Sequence, residues 1–416
     1  MAGASSDGSG ARVDTSPTRA RRLGVWTILG LMLLTGAIGG LRFAGADLAG
    51  TSFFANVEYY TYTTEDGNDL DHLNIDIVSY LAMVEDRRGV DDAFWKMEPV
   101  PSFEETGEVL MGPVAPFIHR PALPLLASVL PWDAAVSFAL VNLLLVVAGL
   151  WFMVDALALQ GRSRRAQLVG GLLYAVTLPS LVFTSSLFID GGAMAVFVFG
   201  YWLIARRCWW AFALFLPISG AFKEAIIFIA PSAIVAWRAS GRSFKDVRFL
   251  LSAPLVAAAW VLVAVLIRLE APEPTFAFSL GPKLSYFGGN LGNLSSAAFF
   301  AVGCSTVMVP AAVAVYRLVR RSGVAGAFDR AGPEMTGLAM FVLVDLYSMA
   351  ATDLTLRTAW LFWPFAISLS ALLVDDLGPT TIDLRAVTHG PATSVVAVGR
   401  DPGSPQDASS ERRGPP

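Results

Sequence analysis

The chain has little charge and little cysteine. Only 15% of its 416 residues are charged, against about 25% in average protein composition. Two cysteines are too few for a disulfide-stabilised scaffold. The net charge is −4, whereas a nucleic-acid-binding protein usually carries a basic excess. HExxH, Walker, GxGxxG and CxxC motifs are absent, and the three histidines do not form a metal-ligand cluster. These absences exclude a soluble globular enzyme, a disulfide scaffold and a nucleic-acid partner.

Apolar sequence dominates instead. Hydrophobic residues make up 55% of the chain, and the mean hydropathy is +0.57. A transmembrane helix needs about 20 mainly apolar residues. We therefore predict an all-α integral membrane protein with about ten transmembrane helices. The predicted spans are 23–41, 132–159, 168–188, 193–205, two short crossings within 209–237, 249–267, 296–316, 335–352 and 358–374. A short helix at 121–130 is expected at the membrane interface.

The distribution of charge predicts the topology. Residues 1–22 and 375–416 are expected to be disordered cytoplasmic tails, and 23–374 to be the transmembrane domain. The first span is expected to be an uncleaved anchor rather than a cleaved signal peptide. It leads into a large outer loop, 42–118, which holds 15 acidic residues. With both termini in the cytoplasm, 21 of the 30 Lys and Arg residues fall on the cytoplasmic side, as the positive-inside rule requires. We expect a multi-pass protein of the plasma membrane.

The outer loop contains a candidate general base. Apolar residues recur from Ile75 in a pattern that predicts a short amphipathic helix at the membrane surface, with Asp71 and Asp76 near its start. A carboxylate held at that surface would be partly desolvated, which suits general-base chemistry. The alternative is a solvated acidic face with a helix cap.

A second segment brings a cation to the membrane surface. His119 and Arg120 stand between prolines where an apolar stretch begins. Arginine binds phosphate well through its planar fork of donors, so these residues are candidates for an anion site. The alternative is an arginine that extends to the interface and has no ligand.

Three further ionisable sites fall in or beside predicted spans. Lys223 and Glu224 interrupt two short apolar runs, and an ionisable group at membrane depth costs about 2.5–3.5 kcal/mol on insertion scales. They are functional candidates, with a polar hairpin tip as the alternative. Asp190 precedes two glycines and could be a simple helix cap. Asp345 lies within a span and is a candidate partner for Lys223 or Arg357.

Two segments resemble a known family. Residues 76–83 read D-x-x-x-Y-L-x-M, and residues 116–124 read PF-x-x-RP-x-LP. Followed by Asp190 and Lys223-Glu224, they resemble bacterial members of the GT-C superfamily of polytopic membrane glycosyltransferases. The resemblance covers roughly residues 70–235.

The resemblance implies a function. A sugar would pass from a polyprenyl-phosphate carrier to an acceptor at the outer membrane face, with a lipid-linked donor and membrane lipids as partners. Asp76 matches the family's general base, although the family's two neighbouring acids leave Asp71 as an alternative. The remaining candidates would contact the carrier phosphate (His119, Arg120 and Lys223) or orient the acceptor or a metal (Asp190 and Glu224). A requirement for a divalent cation stays open.

Two other classes of function are compatible with the sequence. A secondary transporter or flippase would gather Lys223, Glu224 and Asp345 in a cavity halfway across the membrane. A structural membrane protein would leave these charges scattered. The glycosyltransferase instead requires them to meet Asp76 and Arg120 at the outer face.

Overall fold

The structure is a computed structural model. It describes residues 22–45, 60–67, 69–99, 112–177, 180, 187–277, 287–289, 294–351 and 359–377. The chain divides into two units, 1–376 and 377–416, and the architecture below is that of the first unit. The predicted tails lie almost entirely outside the described residues, but the last helix continues to Leu377, beyond the predicted start of the C-terminal tail at 375.

The described chain is mostly helical, as predicted. The α-helices are α1 Val25–Gly45, α2 Ile75–Arg87, α3 Ala122–Ser128, α4 Ala134–Leu159, α5 Arg164–Val176, α6 Asp190–Ala205, α7 Trp209–Ser219, α8 Ala230–Ala239, α9 Val247–Glu270, α10 Leu294–Ala351 and α11 Trp363–Leu377. Short 3-10 helices cover Ala93–Trp95, Phe117–His119, Glu224–Ile229 and Ala359–Phe362. The long α10 is broken at Gly323 and Ala331, where the backbone is not helical. These breaks separate the predicted spans 296–316 and 335–352.

Two of the described helices are long and apolar enough to cross a membrane. They are Ala134–Leu159 and Leu251–Glu270. Three shorter apolar helices are Val25–Leu41, Asp190–Ala205 and Trp209–Ser219. The predicted span 168–188 is only partly described, because α5 ends at Val176 and most of 178–186 lies outside the described residues.

The described part of segment 42–118 contains strands, which the all-α prediction did not include. β1 (Tyr60–Thr63) pairs antiparallel with β2 (Asp69–Leu73) and with β3 (Met97–Pro99), in the order β2-β1-β3. β-Branched and aromatic residues alternate along β1, a pattern that favours an extended strand. A second pair, β4 (Val114–Ala115) and β5 (Phe276–Ala277), runs parallel and joins the loop to the segment after α9.

Helix α2 forms where the sequence predicts it, but not at an exposed surface. All residues from Ile75 to Glu85 are buried. The small sheet is held against the helix because the Tyr62 hydroxyl donates to Glu85 Oε2 at 2.9 Å. Both faces of the amphipathic helix α2 therefore pack against other parts of the protein.

Helices α4 and α6 run side by side in the same direction. Near their starts, Asn142 accepts a hydrogen bond from Gly192 N. Near their ends, the Trp202 indole donates to Asp155 at 2.9 Å, and Arg22 pairs with Asp155 at 3.4 Å. At 1.5 Å per residue, the 26-residue α4 is about 39 Å long. Along this helix Asn142 and Asp155 are 13 residues apart, which places the two contacts about 20 Å from each other.

Candidate functional site

Helix α2 presents Asp76 in its first turn. The Asn74 side chain caps the helix by accepting from Asp76 N at 3.2 Å. Asp76 Oδ1 in turn accepts from Ile77 N at 3.1 Å, and the residue has no exposed surface. Asp71 lies on β2, and its side chain is outside the described part of the chain. Asp76 is therefore the acid of the two whose side-chain surroundings the structure describes.

One turn along the same helix, Tyr80 connects α2 to Arg120. Arg120 Nη1 donates to the Tyr80 hydroxyl at 3.2 Å. The Tyr80 ring stacks on Phe138 at 5.9 Å and meets Phe117 edge to face at 6.2 Å. Because Asp76 and Tyr80 are four residues apart, their side chains lie on the same face of α2. The proposed base and the arginine thus share one helix face.

Arg120 forms a two-pronged ion pair with Glu224. Its Nε donates to Oε2 at 2.9 Å and its Nη2 to Oε1 at 2.5 Å. Two parallel N–H···O bonds are the strongest geometry that an arginine offers to a carboxylate. The backbone supports this contact, since Ala122 N donates to Ala221 O at 3.1 Å. Two predicted candidates that are 104 residues apart in the sequence are therefore in direct contact.

Lys223 forms a buried ion pair with Asp190. Lys223 Nζ lies 2.6 Å from Asp190 Oδ1, and the two side chains are only 4% and 2% exposed. Asp190 is in the first turn of α6, where the positive end of the helix dipole favours a carboxylate. The described residues contain no ion pair between Lys223 and Asp345, the partner suggested by sequence, while Arg357 is outside them.

The start of α6 is fixed from α4. Asn142 Nδ2 donates to Phe188 O at 2.5 Å, and its Oδ1 accepts from Gly192 N at 2.6 Å. A side chain at Gly192 would collide with Leu123 of α3 and come within 3.0 Å of Asn142 Oδ1. The Asp190-Gly191-Gly192 sequence is therefore the start of a closely packed helix, and a side chain in place of Gly192 would force Leu123 or Asn142 to shift.

These pairings affect the roles that the resemblance implies. Arg120 and Lys223 were expected to hold a carrier phosphate, but each already neutralises a carboxylate. A phosphate would have to compete with Glu224 or Asp190 for these cations. The contacts instead suit Arg120 and Lys223 to positioning the two acids.

A cleft lies beside Glu224. Its volume is about 130 Å³, well above the ~10–15 Å³ that one water molecule needs. The Glu224 side chain is 46% exposed, whereas that of Arg120 behind it is 11% exposed. The cleft is lined by Pro116, His119, Pro217, Gly220, Glu224, Trp260, Val263, Ala264, Ile267 and Arg268. It is thus formed between the Pro116–His119 segment, the end of α7 and helix α9.

The charge state of the site follows from these neighbours. Burial opposes ionisation of Glu224, but the charge and hydrogen bonds of Arg120 outweigh it and lower the pKa of Glu224 to about 2. Burial, together with the nearby Arg268 charge, lowers the pKa of His119. At neutral pH the cleft therefore presents a carboxylate that is already paired and a neutral imidazole.

Several residues of the region were not among the predicted candidates. Glu85 is fully buried and accepts from Glu65 N and Lys96 Nζ as well as Tyr62. Arg88 donates to Leu130 O at 2.9 Å and Trp132 O at 2.7 Å, which ties α2 to the α3–α4 turn. Their positions in an acidic loop gave no signal for these contacts.

Arg268 and Trp260 of the cleft were also missed. Arg268 stands just after the predicted end of a span, a place where an interfacial basic residue is ordinary. Trp260 falls inside that span and was counted only as apolar sequence. Only the packing of α9 against α7 reveals that both residues line the cleft.

No metal centre is found in the described part of the chain, where no three His, Cys, Asp or Glu side chains are grouped to hold an ion. Asp190 and Glu224, the two candidates for metal orientation, are instead paired with Lys223 and Arg120. His389 and the Cys304 side chain lie outside the described residues.

No protein-family model, curated protein or solved structure matches this chain.

Proposed function

We propose that this protein is a multi-pass membrane glycosyltransferase that moves a sugar from a polyprenyl-phosphate carrier to an acceptor at the outer membrane face. One observation carries the proposal. The candidates His119, Arg120, Asp190, Lys223 and Glu224 meet near the starts of α4 and α6, beside the face of α2 that bears Asp76. A structural protein has no need to gather them there.

The location of this cluster supports an outer-face reaction. It lies at one end of the α4–α6 pair, whereas Arg22 and Asp155 lie at the other. The positive-inside rule assigns the basic loop after α4 to the cytoplasm. This loop follows the Asp155 end of α4, and Arg164 there donates to the carbonyl of Arg22, which pairs with Asp155. The proposed topology therefore has ten crossings, cytoplasmic termini and the cluster outside.

The proposed reaction is a single displacement. An acceptor hydroxyl gives its proton to Asp76 as its oxygen attacks the anomeric carbon of the sugar. The bond between that carbon and the phosphate oxygen breaks, and the polyprenyl phosphate leaves with the bonding electron pair. Attack from the opposite side inverts the anomeric configuration. Because Asp76 has no exposed surface, the proposal requires the start of α2 to open when the acceptor binds.

Turnover of defined donors tests the proposal. The purified protein is placed in liposomes with polyprenyl-phosphate hexoses and pentoses and a panel of hydroxyl acceptors, and free polyprenyl phosphate is measured by mass spectrometry. We expect release with at least one donor and at least a ~100-fold loss in Asp76→Asn. No release from any donor would contradict the proposal.

Asp86→Asn is the matched control. Asp86 is on the same helix, but its side chain is exposed. The Asp86→Asn substitution makes the same chemical change as Asp76→Asn but leaves the cluster unchanged, so we expect near-normal turnover. Equal losses in the two variants would show that the effect comes from the helix rather than from a base.

A further inference from the structure

Arg268 brings a further positive charge to the cleft beside Glu224. Arg268 lines the cleft and forms no ion pair with any carboxylate in the described segments. The charge of Glu224 on the facing wall is balanced by Arg120. Among the residues that the structure describes, the charge of Arg268 thus has no acidic partner, and it can attract an anion.

Trp260 adds a hydrogen-bond donor to the same cleft. Its Nε1 is buried, and within the described ranges no atom accepts its hydrogen. Gly220 packs against this nitrogen, since a Cβ there would lie only 3.0 Å from Nε1. Buried donors are nearly always paired in folded proteins, so this one is suited to a ligand oxygen.

The surface along α9, in contrast to these polar groups, is apolar. Val263, Ala264 and Ile267 form an apolar wall of the cleft. From this wall an apolar surface continues along the helix, since none of the most apolar stretch of Leu251–Glu270 is buried inside the protein. A ligand with an anionic head and a long apolar tail would match both surfaces at once.

We propose that the cleft binds the phosphate group of a lipid, with Arg268 and the Trp260 N–H as its ligands and the apolar chain lying along α9. The assignment deepens the proposed function and rests on it for the identity of the lipid as the sugar carrier. It gives the phosphate a cation other than Arg120 and Lys223, which are already paired.

Native mass spectrometry of the detergent-solubilised full chain tests this site. The probes are a polyprenyl phosphate, the corresponding uncharged polyprenol and inorganic phosphate as competitor. We expect Arg268→Gln to weaken polyprenyl-phosphate binding by about tenfold or more, and Trp260→Phe to weaken it by a smaller factor. Polyprenol should bind weakly and equally to all variants.

Arg330→Gln is the matched control, because Arg330 is an exposed arginine of α10 that does not line the cleft. Equal binding to wild type, Arg268→Gln and Arg330→Gln would overturn the proposal. Displacement of the lipid by inorganic phosphate at comparable concentration would overturn its lipid part and identify free phosphate as the ligand.

The binding and turnover experiments can refute the two proposals independently. A protein that binds polyprenyl phosphate through Arg268 but turns over no donor keeps this site and refutes glycosyl transfer. A protein that turns over donor while Arg268→Gln binds normally keeps the transferase and refutes the site.

Discussion

The buried pair of Lys223 and Asp190 gives a quantitative prediction. At 2.6 Å, two unit charges attract by about 6 kcal/mol with an effective dielectric constant of 20. Removing each ion from water costs several kcal/mol, so the net contribution of the pair is small. Removing one partner is different, because the other stays buried after losing the opposite charge that lies 2.6 Å away. We expect Asp190→Asn or Lys223→Met to lower the free energy of unfolding by about 3–5 kcal/mol.

The double variant Asp190→Asn/Lys223→Met separates this reasoning from simple loss of packing. Because neither charge remains, we expect it to recover at least half of the loss of either single variant. Unfolding in mild detergent, followed by circular dichroism, measures all three. The exposed pair of Arg321 and Asp376 is the control, and Asp376→Asn should cost no more than about 1 kcal/mol. Additive losses in the double variant would refute the argument.

Two further predictions concern neighbouring residues. Gly192→Ala should lower the free energy of unfolding by about 1–3 kcal/mol through overpacking, whereas Gly30→Ala, where the added Cβ meets nothing within 4 Å, should cause no loss in the same measurement. Because Arg120 lowers the pKa of Glu224 from 4.5 to about 2, the stabilisation by this pair is complete above about pH 4.5 and is lost as the pH falls towards 2. The melting-temperature difference between wild type and Glu224→Gln should thus be constant from pH 7 to 5 and shrink below pH 4. A difference that already shrinks between pH 7 and 5 would contradict this.

Local patterns predicted the elements that carry the site. The apolar spacing after Asn74 predicted α2, and the apolar run after Pro121 predicted α3. The interruption of two apolar runs at Lys223 and Glu224 predicted a break between two helices, which the structure has as an extended residue and a 3-10 helix. These features depend on neighbours within a few residues, so one sequence contains enough information.

Partners across the fold could not be predicted in this way. The cost of a charge in an apolar segment implied that Lys223 needs a partner, but the choice between Asp190 and Asp345 depends on how α6 and α10 pack. The burial of α2 depends on the small sheet that covers it. The alternation in Tyr60–Thr63 and the Asp66-Gly67 turn are signals of that sheet, but apolar runs alone do not reveal it.

The ratio of donor turnover in Asp76→Asn to that in Asp86→Asn tests the central claim most directly. Both variants are assayed in the same liposomes with the same polyprenyl-phosphate sugar and acceptor. A base at Asp76 predicts a ratio of about 0.01 or less, with Asp86→Asn close to wild type. A ratio near one would contradict the assignment of this cluster as the site of glycosyl transfer.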